Sequence, residues 1–183
     1  SRAVDIGVAA LGLLLSLPLW PLIALIVRLD SRGPALYRQI RTGQHGRGFT
    51  LYKFRTMSAD AERNGARWAE PNDVRVTRVG RFLRRSRLDE LPQLFNILRG
   101  DMALVGPRPE RPEFNRYLER LLPHYRVRHL VKPGLTGWAQ IHHGYGSSVI
   151  DARRKLCYDL YYVKHRSLEL NAAILIRTFG AFA

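Results

Sequence analysis

Asp89 and Glu90 stand side by side ahead of a stretch in which Leu91, Leu94, Phe95 and Leu98 follow the spacing of an amphipathic helix. Pro92 fixes the start of that helix, because a residue without an N–H is tolerated only in the first turn, and Asp89 then falls at the predicted N-cap. A carboxylate there meets free backbone N–H groups and the positive end of the helix dipole. Both favour the ionised form and would make it a nucleophile at neutral pH. An ordinary capping aspartate uses the same physics, so position alone leaves both roles open.

The surroundings favour chemistry. Arg78, Arg81, Arg84, Arg85 and Arg87 lie immediately upstream, more cations than one carboxylate needs for pairing. At an effective dielectric of 20 a charge pair at 4 Å is worth roughly 4 kcal/mol, so two arginines on a diphosphate would offset much of the repulsion felt by an attacking carboxylate. A solvated basic face against acidic lipid headgroups is the alternative. Gly106-Pro107-Arg108-Pro109 locks an arginine between two rings, which lowers the entropy lost when its planar fork grips a phosphate. An adjacent Asp-Glu pair suits Mg²⁺, which binds one or two carboxylates together with substrate phosphate oxygens. Zinc is not suggested: His142 and His143 are neighbours and Cys157 stands alone. Nor is there a Walker loop or a Ser-His-Asp order.

These residues need elements to hold them. Residues 35–40 and 49–54 flank the glycine-rich 42–48 and predict a β-hairpin. Residues 58–70 are polar and predict a helix or loop. The arginines at 78, 81, 84 and 85 fall at helical spacing and give one basic helix face. Gly100 is a natural stop for the helix after Asp89. Pro112 opens a helix with Phe114, Leu118, Leu121 and Leu122 on its apolar face, and Pro123 closes it. Ser148 and Asp151 form a predicted capping box for a helix reaching Lys164. Leu168–Phe182 is a last apolar segment, suited equally to a membrane surface or a core.

Before all of these, Asp5 is the only charge between Val4 and Val27, a run long enough to enter a bilayer core. It is too long for a signal peptide. Pro18 and Pro21 each remove an interior backbone donor, while Arg2 precedes the run and Arg28 and Arg32 follow it. A helix that enters, breaks near Pro18 and returns to the same face satisfies both observations, with Ser16 as a candidate donor to the carbonyls freed at the break. A proline-kinked spanning helix is the alternative.

The chain of 183 residues is 46% hydrophobic with net charge +15, which fits one modest core and polyanionic, phosphate or acidic-membrane partners. Within the basic run Phe82 is the one aromatic, which argues against nucleic acid. A lone cysteine permits no internal disulfide and fits a reducing compartment.

Residues 52–57 (Tyr-Lys-Phe-Arg-Thr-Met), 88–96 (Leu-Asp-Glu-Leu-Pro-Gln-Leu-Phe-Asn), 100–102 (Gly-Asp-Met), 105–109 (Val-Gly-Pro-Arg-Pro) and 132–140 (Lys-Pro-Gly-Leu-Thr-Gly-Trp-Ala-Gln) together resemble the bacterial sugar transferase family, the monotopic phosphoglycosyl transferases. The resemblance runs in family order over essentially the whole chain, including Arg2, Asp5 and the proline-broken segment. It implies an α+β, mainly helical protein. A re-entrant membrane helix and boundary turn (1–34) precede a cytosolic catalytic domain (35–183) with a short hairpin and interfacial helices.

In function, the resemblance implies that Asp89 attacks the β-phosphate of a UDP-sugar, expels UMP and holds the phosphosugar until undecaprenyl phosphate takes it. Asp89 and Glu90 are the expected catalytic and Mg²⁺-associated pair. Arg84, Arg108, Lys53 and Arg55 are expected at the substrate phosphates. Pro18 and Ser16 are expected at the helix break, although family members often place Ser directly before that proline and here Leu17 intervenes. The expected location is the cytoplasmic face of a bacterial inner membrane, on anionic phospholipid, and a homodimer stays open. Larger relatives carry spanning helices and a further domain ahead of such a core. The ending at Thr178–Phe182 resembles theirs, so the chain is expected to be their catalytic part. Residues 144–148 with 158–162 resemble members that start exopolysaccharides with a hexose phosphate. Two other readings remain at this point: a membrane-attached binding module, and a glycosyltransferase that releases UDP rather than UMP.

Overall fold

The computed structural model describes residues 1–63, 65–68, 70, 73–143, 146 and 148–180. Helix α1 (Arg2–Ser16) gives way at Leu17–Leu19 to a 3₁₀ turn and resumes as α2 (Trp20–Asp30). The change of helix type falls where Pro18 and Pro21 withhold their N–H groups. Ser16 Oγ donates to the Leu13 carbonyl at 3.3 Å and accepts from Trp20 Nε1 at 3.4 Å. It therefore serves Leu13 and not the Leu14 carbonyl that Pro18 leaves without its helical donor.

This segment is long and apolar enough to cross a membrane. Leu14, Leu15 and Leu29 are among the many apolar side chains it leaves uncovered. Its two ends are nevertheless tied to the same domain. Arg2 donates to the carbonyls of Ile97 and Leu98, and Asp5 accepts from Leu104 N at 3.2 Å. At the other end Asp30 accepts from Val79 N at 3.2 Å, and the Arg55 guanidinium donates to the carbonyls of Val27, Ser31 and Arg32.

The hairpin appears where the sequence places it, with β1 (Leu36–Thr42) antiparallel to β2 (Gly48–Phe54) and Leu36 opposite Phe54. No helix forms over the described part of 58–70, where residues 59–63 run in turns and the rest is irregular. Helix α3 (Arg78–Arg85) is capped by Thr77, whose side chain accepts from Gly80 N at 2.9 Å. A Cβ at Gly80 would run into the Thr56 backbone, so glycine is what lets α3 lie against the end of the hairpin. Helix α4 (Gln93–Arg99) ends on Gly100 at φ 92°, whose N–H returns to the Asn96 and Ile97 carbonyls.

Beyond it, β3 (Ala103–Val105) pairs in parallel with β4 (Gly134–Thr136), a connection the sequence patterns do not announce. Between these strands lies α5 (Pro112–Leu121), closed as the flanking prolines require. A short α6 (Trp138–His142) precedes α7 (Val149–His165), whose Ser148–Asp151 capping box is formed as expected. Helix α8 (Leu168–Gly180) divides its faces: Ile174 is fully buried while Leu168 and Ile176 are exposed. The main core joins Ala9 of α1 to Leu51, Ile97, Met102, Leu104, Tyr162 and Ile174. A second joins Ile23 and Val27 of α2 to Phe54 and Leu83. The protein is thus mainly helical, with a long apolar N-terminal segment and a short antiparallel hairpin.

Candidate active site

Asp89 does not cap α4. It sits inside a 3₁₀ turn, Leu88–Glu90, and the residue at the helix boundary is Pro92, with no side-chain cap. The N–H groups of Glu90, Leu91, Leu94 and Phe95 are taken by the carbonyls of Arg87, Leu88, Leu91 and Pro92. Successive tight turns satisfy one another, and Pro92 has no N–H to offer, so these backbone groups do not serve the Asp89 carboxylate. Its Oδ1 is buried without a hydrogen-bond partner among the described residues.

The electrostatic consequence reverses the expected one. Burial, and after it the neighbouring Glu90, push the Asp89 pKa up to about 6, against the pull of Lys53, Arg108 and Arg84. Glu90 moves the other way. Burial raises it, but Arg108 at 2.9 Å on Oε1 and Arg87 at 3.7 Å from Oε2 outweigh that, and Glu90 stays ionised below its ordinary range. The two adjacent carboxylates are shifted in opposite directions by their surroundings.

Lys53, Arg84 and Arg108 converge here from three elements. Lys53 projects from β2, and burial, then Arg41 and Arg84, lower its pKa to about 8. Arg84 comes from α3 and is steadied by its Nε donating to Thr56 Oγ1 at 2.8 Å. Arg108 follows β3, and its loop is fixed from behind: Arg128 donates to the Arg108 carbonyl at 2.8 Å and Gly134 N to the Pro107 carbonyl at 2.9 Å. Arg55 has a second role. It lines the same cavity, but its terminal guanidinium nitrogens donate at the C-terminal end of α2 and so fasten the apolar segment to the hairpin.

A cavity of about 520 Å³ opens on this cluster, lined by Lys53, Arg84, Asp89, Glu90 and Arg108 and extending to Arg41, Trp68, Phe114, Gln140 and Lys155. Sequence reasoning missed the part of its wall built by Arg128 and Asp159. They form an ion pair at 2.8 Å with both side chains nearly inaccessible. Burial works against the Arg128 charge, and Tyr125 and Asp159 more than restore it. Neither residue lies in a motif that suggests pairing. Their partnership depends on α7 folding back over the turn that contains Arg128.

The family model described as bacterial sugar transferase matches residues 1–183. The chain belongs to the bacterial sugar transferase family. Among curated members it is 45% identical over 177 residues to a UDP-N-acetylgalactosamine-undecaprenyl-phosphate N-acetylgalactosaminephosphotransferase of Aeromonas hydrophila, covering 97% of this chain and 42% of that protein. It is 45% identical over 183 residues to an undecaprenyl-phosphate glucose phosphotransferase of Komagataeibacter xylinus, covering 97% and 34%. A UDP-glucose:undecaprenyl-phosphate glucose-1-phosphate transferase of Caulobacter vibrioides is 43% identical over 179 residues, covering 97% and 67%. The chain thus spans well under half the length of the first two family members. Residues 144, 145 and 147, where the exopolysaccharide-type resemblance begins, lie outside the described residues, as do 181–183.

Proposed function

We infer that the chain transfers a sugar-1-phosphate from a UDP-sugar to undecaprenyl phosphate, with Asp89 as the covalent nucleophile. The observation that carries this reading is a buried carboxylate oxygen without a partner, in a cavity where Lys53, Arg84 and Arg108 gather. The cations hold the donor diphosphate and neutralise charge on its oxygens. Asp89 Oδ1 attacks the β-phosphorus, the bond to the α–β bridging oxygen breaks, and UMP leaves. The acceptor phosphate oxygen then attacks the same phosphorus and regenerates the carboxylate. Covalent catalysis divides one difficult displacement into two easier ones. Release of UMP from UDP-glucose or UDP-N-acetylgalactosamine in the presence of undecaprenyl phosphate tests the reading, and release of UDP would reject it.

The donor set also fits Mg²⁺. Adjacent Asp and Glu carboxylates suit a hard cation that completes its shell with substrate phosphates, with the Asp89 oxygen that does not attack and Glu90 as the protein ligands. Asp89 and Glu90 would hold it, and it would supply further charge neutralisation on the diphosphate.

A pH profile follows from the site. The attacking form of Asp89 is the anion, so kcat/KM rises as pH increases toward about 6. Lys53 must keep its proton to hold phosphate, so the rate falls again above about 8. The expected profile is a bell with flanks near these values, and Lys53→Arg removes the alkaline flank. A flat profile between pH 5 and 9 would reject both assignments.

The apolar segment is read as re-entrant, at the cytoplasmic face of a bacterial inner membrane. Support comes from its anchoring: Arg2 and Asp5 at one end, and Val27 to Arg32 at the other, are bonded to one domain. A spanning helix would carry its ends to opposite sides of about 30 Å of hydrocarbon, where one domain cannot bond both. Cysteines introduced at Val4 and Arg32 are expected to resist a membrane-impermeant maleimide added outside intact cells. Labelling at position 4 would establish a spanning helix instead.

A further inference from the structure

Arg87 stands apart from the other cations of the cavity. Its backbone is left-handed at φ 58°, a conformation L-residues rarely take and one that persists where the surroundings hold it. It lies two residues before Asp89, at the end of α3, and it lines the cavity. The side chain is 40% exposed and meets Glu90 at 3.7 Å, a looser pairing than the 2.9 Å of Arg108 on the other oxygen.

Its location ties it to the membrane side. The start of α3 is fastened to Asp30, the last residue of the apolar segment, through Val79 N. Along α3, Phe82 is 64% exposed between the exposed Arg81 and Arg85, an apolar side chain among cations that suits the headgroup region. The helix thus runs from the end of the apolar segment toward the cavity, and Arg87 marks where it arrives. On the transferase reading, a phosphate tethered to a lipid of the bilayer that holds the apolar segment would approach Asp89 from that side. A water-soluble donor has no such restriction.

Resting on the phosphosugar-transfer reading, we propose that Arg87 receives the phosphate of the lipid acceptor, while Lys53, Arg84 and Arg108 serve the donor diphosphate. Arg87 lines the cavity two residues before the nucleophile. Its loose hold on Glu90 leaves it able to turn to an arriving anion, with a charge-assisted hydrogen bond as the recognition element.

The two half-reactions separate this role from a structural one. Glycine accepts φ 58° without strain, so Arg87→Gly keeps the turn, and Arg87→Lys keeps the charge. UMP release without acceptor reads the first step, and transfer to undecaprenyl phosphate in nanodiscs reads the second. In Arg87→Gly the second step is expected to slow roughly tenfold to a hundredfold more than the first, with a raised KM for the acceptor and partial recovery in Arg87→Lys. Equal slowing of both steps, or no change in either, would overturn the assignment while leaving the transferase reading intact. Absence of UMP release from the unmodified protein would overturn that reading and this one with it.

Discussion

Asp89→Asn is expected to lower turnover by at least about 10³-fold while making the protein harder to unfold at pH 7.5. The loss follows from removing the proposed nucleophile. The gain follows from the site's electrostatics. Burial and Glu90 raise the Asp89 pKa to about 6 in the folded chain, above an unfolded value of about 3.9. A carboxyl shifted upward stabilises the fold while protonated, and that contribution is lost as pH rises through the folded value. At pH 7.5 the wild-type protein therefore carries a buried charge that the amide lacks, and the variant should gain on the order of 2 kcal/mol. Below pH 4 both forms are neutral, and the difference should vanish. Thermal unfolding in nanodiscs at the two pH values measures it. A variant less stable at pH 7.5 would mean that the Asp89 anion is stabilised in the fold, as a helix cap would be.

The second large effect is structural at its origin and catalytic in its reach. Arg128 and Asp159 are both almost inaccessible, and removing one partner leaves a buried charge uncompensated. Arg128→Met or Asp159→Leu is expected to cost about 3–5 kcal/mol, a fall of roughly 10 °C in Tm. Replacing both with apolar side chains should recover much of the stability, since a buried ion pair often contributes little over a well-packed apolar pair. Activity should not recover. Arg128 also donates to the Arg108 carbonyl, and without it the loop that presents Arg108 to Glu90 loses a support, with an expected rate loss of about 10²-fold. A double variant with restored stability and restored rate would show that Arg128 does not position Arg108.

What was legible in the sequence is what short-range chemistry decides. The hairpin around 42–48, the Gly100 stop, the α5 boundaries set by Pro112 and Pro123 and the Ser148–Asp151 box all depend on residues a few positions apart. The parallel pairing of β3 with β4 was not legible, because strands of three residues carry no period and their partner lies beyond an intervening helix. The second role of Arg55 was illegible for a related reason. The residue occupies a motif beside Lys53, yet what it touches is decided by where α2 ends, and only the fold brings Val27, Ser31 and Arg32 to it. Asp89 shows the limit most clearly. Its place before Pro92 suggested a cap with a lowered pKa, whereas the 3₁₀ turns consume the backbone donors and burial raises it. The proposed nucleophile is then a buried carboxylate with its pKa raised to about 6, charged at working pH but held out of water.

The most direct test is to incubate the purified protein with UDP-glucose or UDP-N-acetylgalactosamine in the absence of acceptor, quench it, and weigh the intact chain and its peptides. A covalent mechanism predicts a mass increase of one phosphosugar, located on the peptide that contains Asp89, with UMP released in equal amount and the adduct discharged by undecaprenyl phosphate. UMP formed only when acceptor is present, with no adduct on any peptide, would contradict it and require direct transfer between the two substrates.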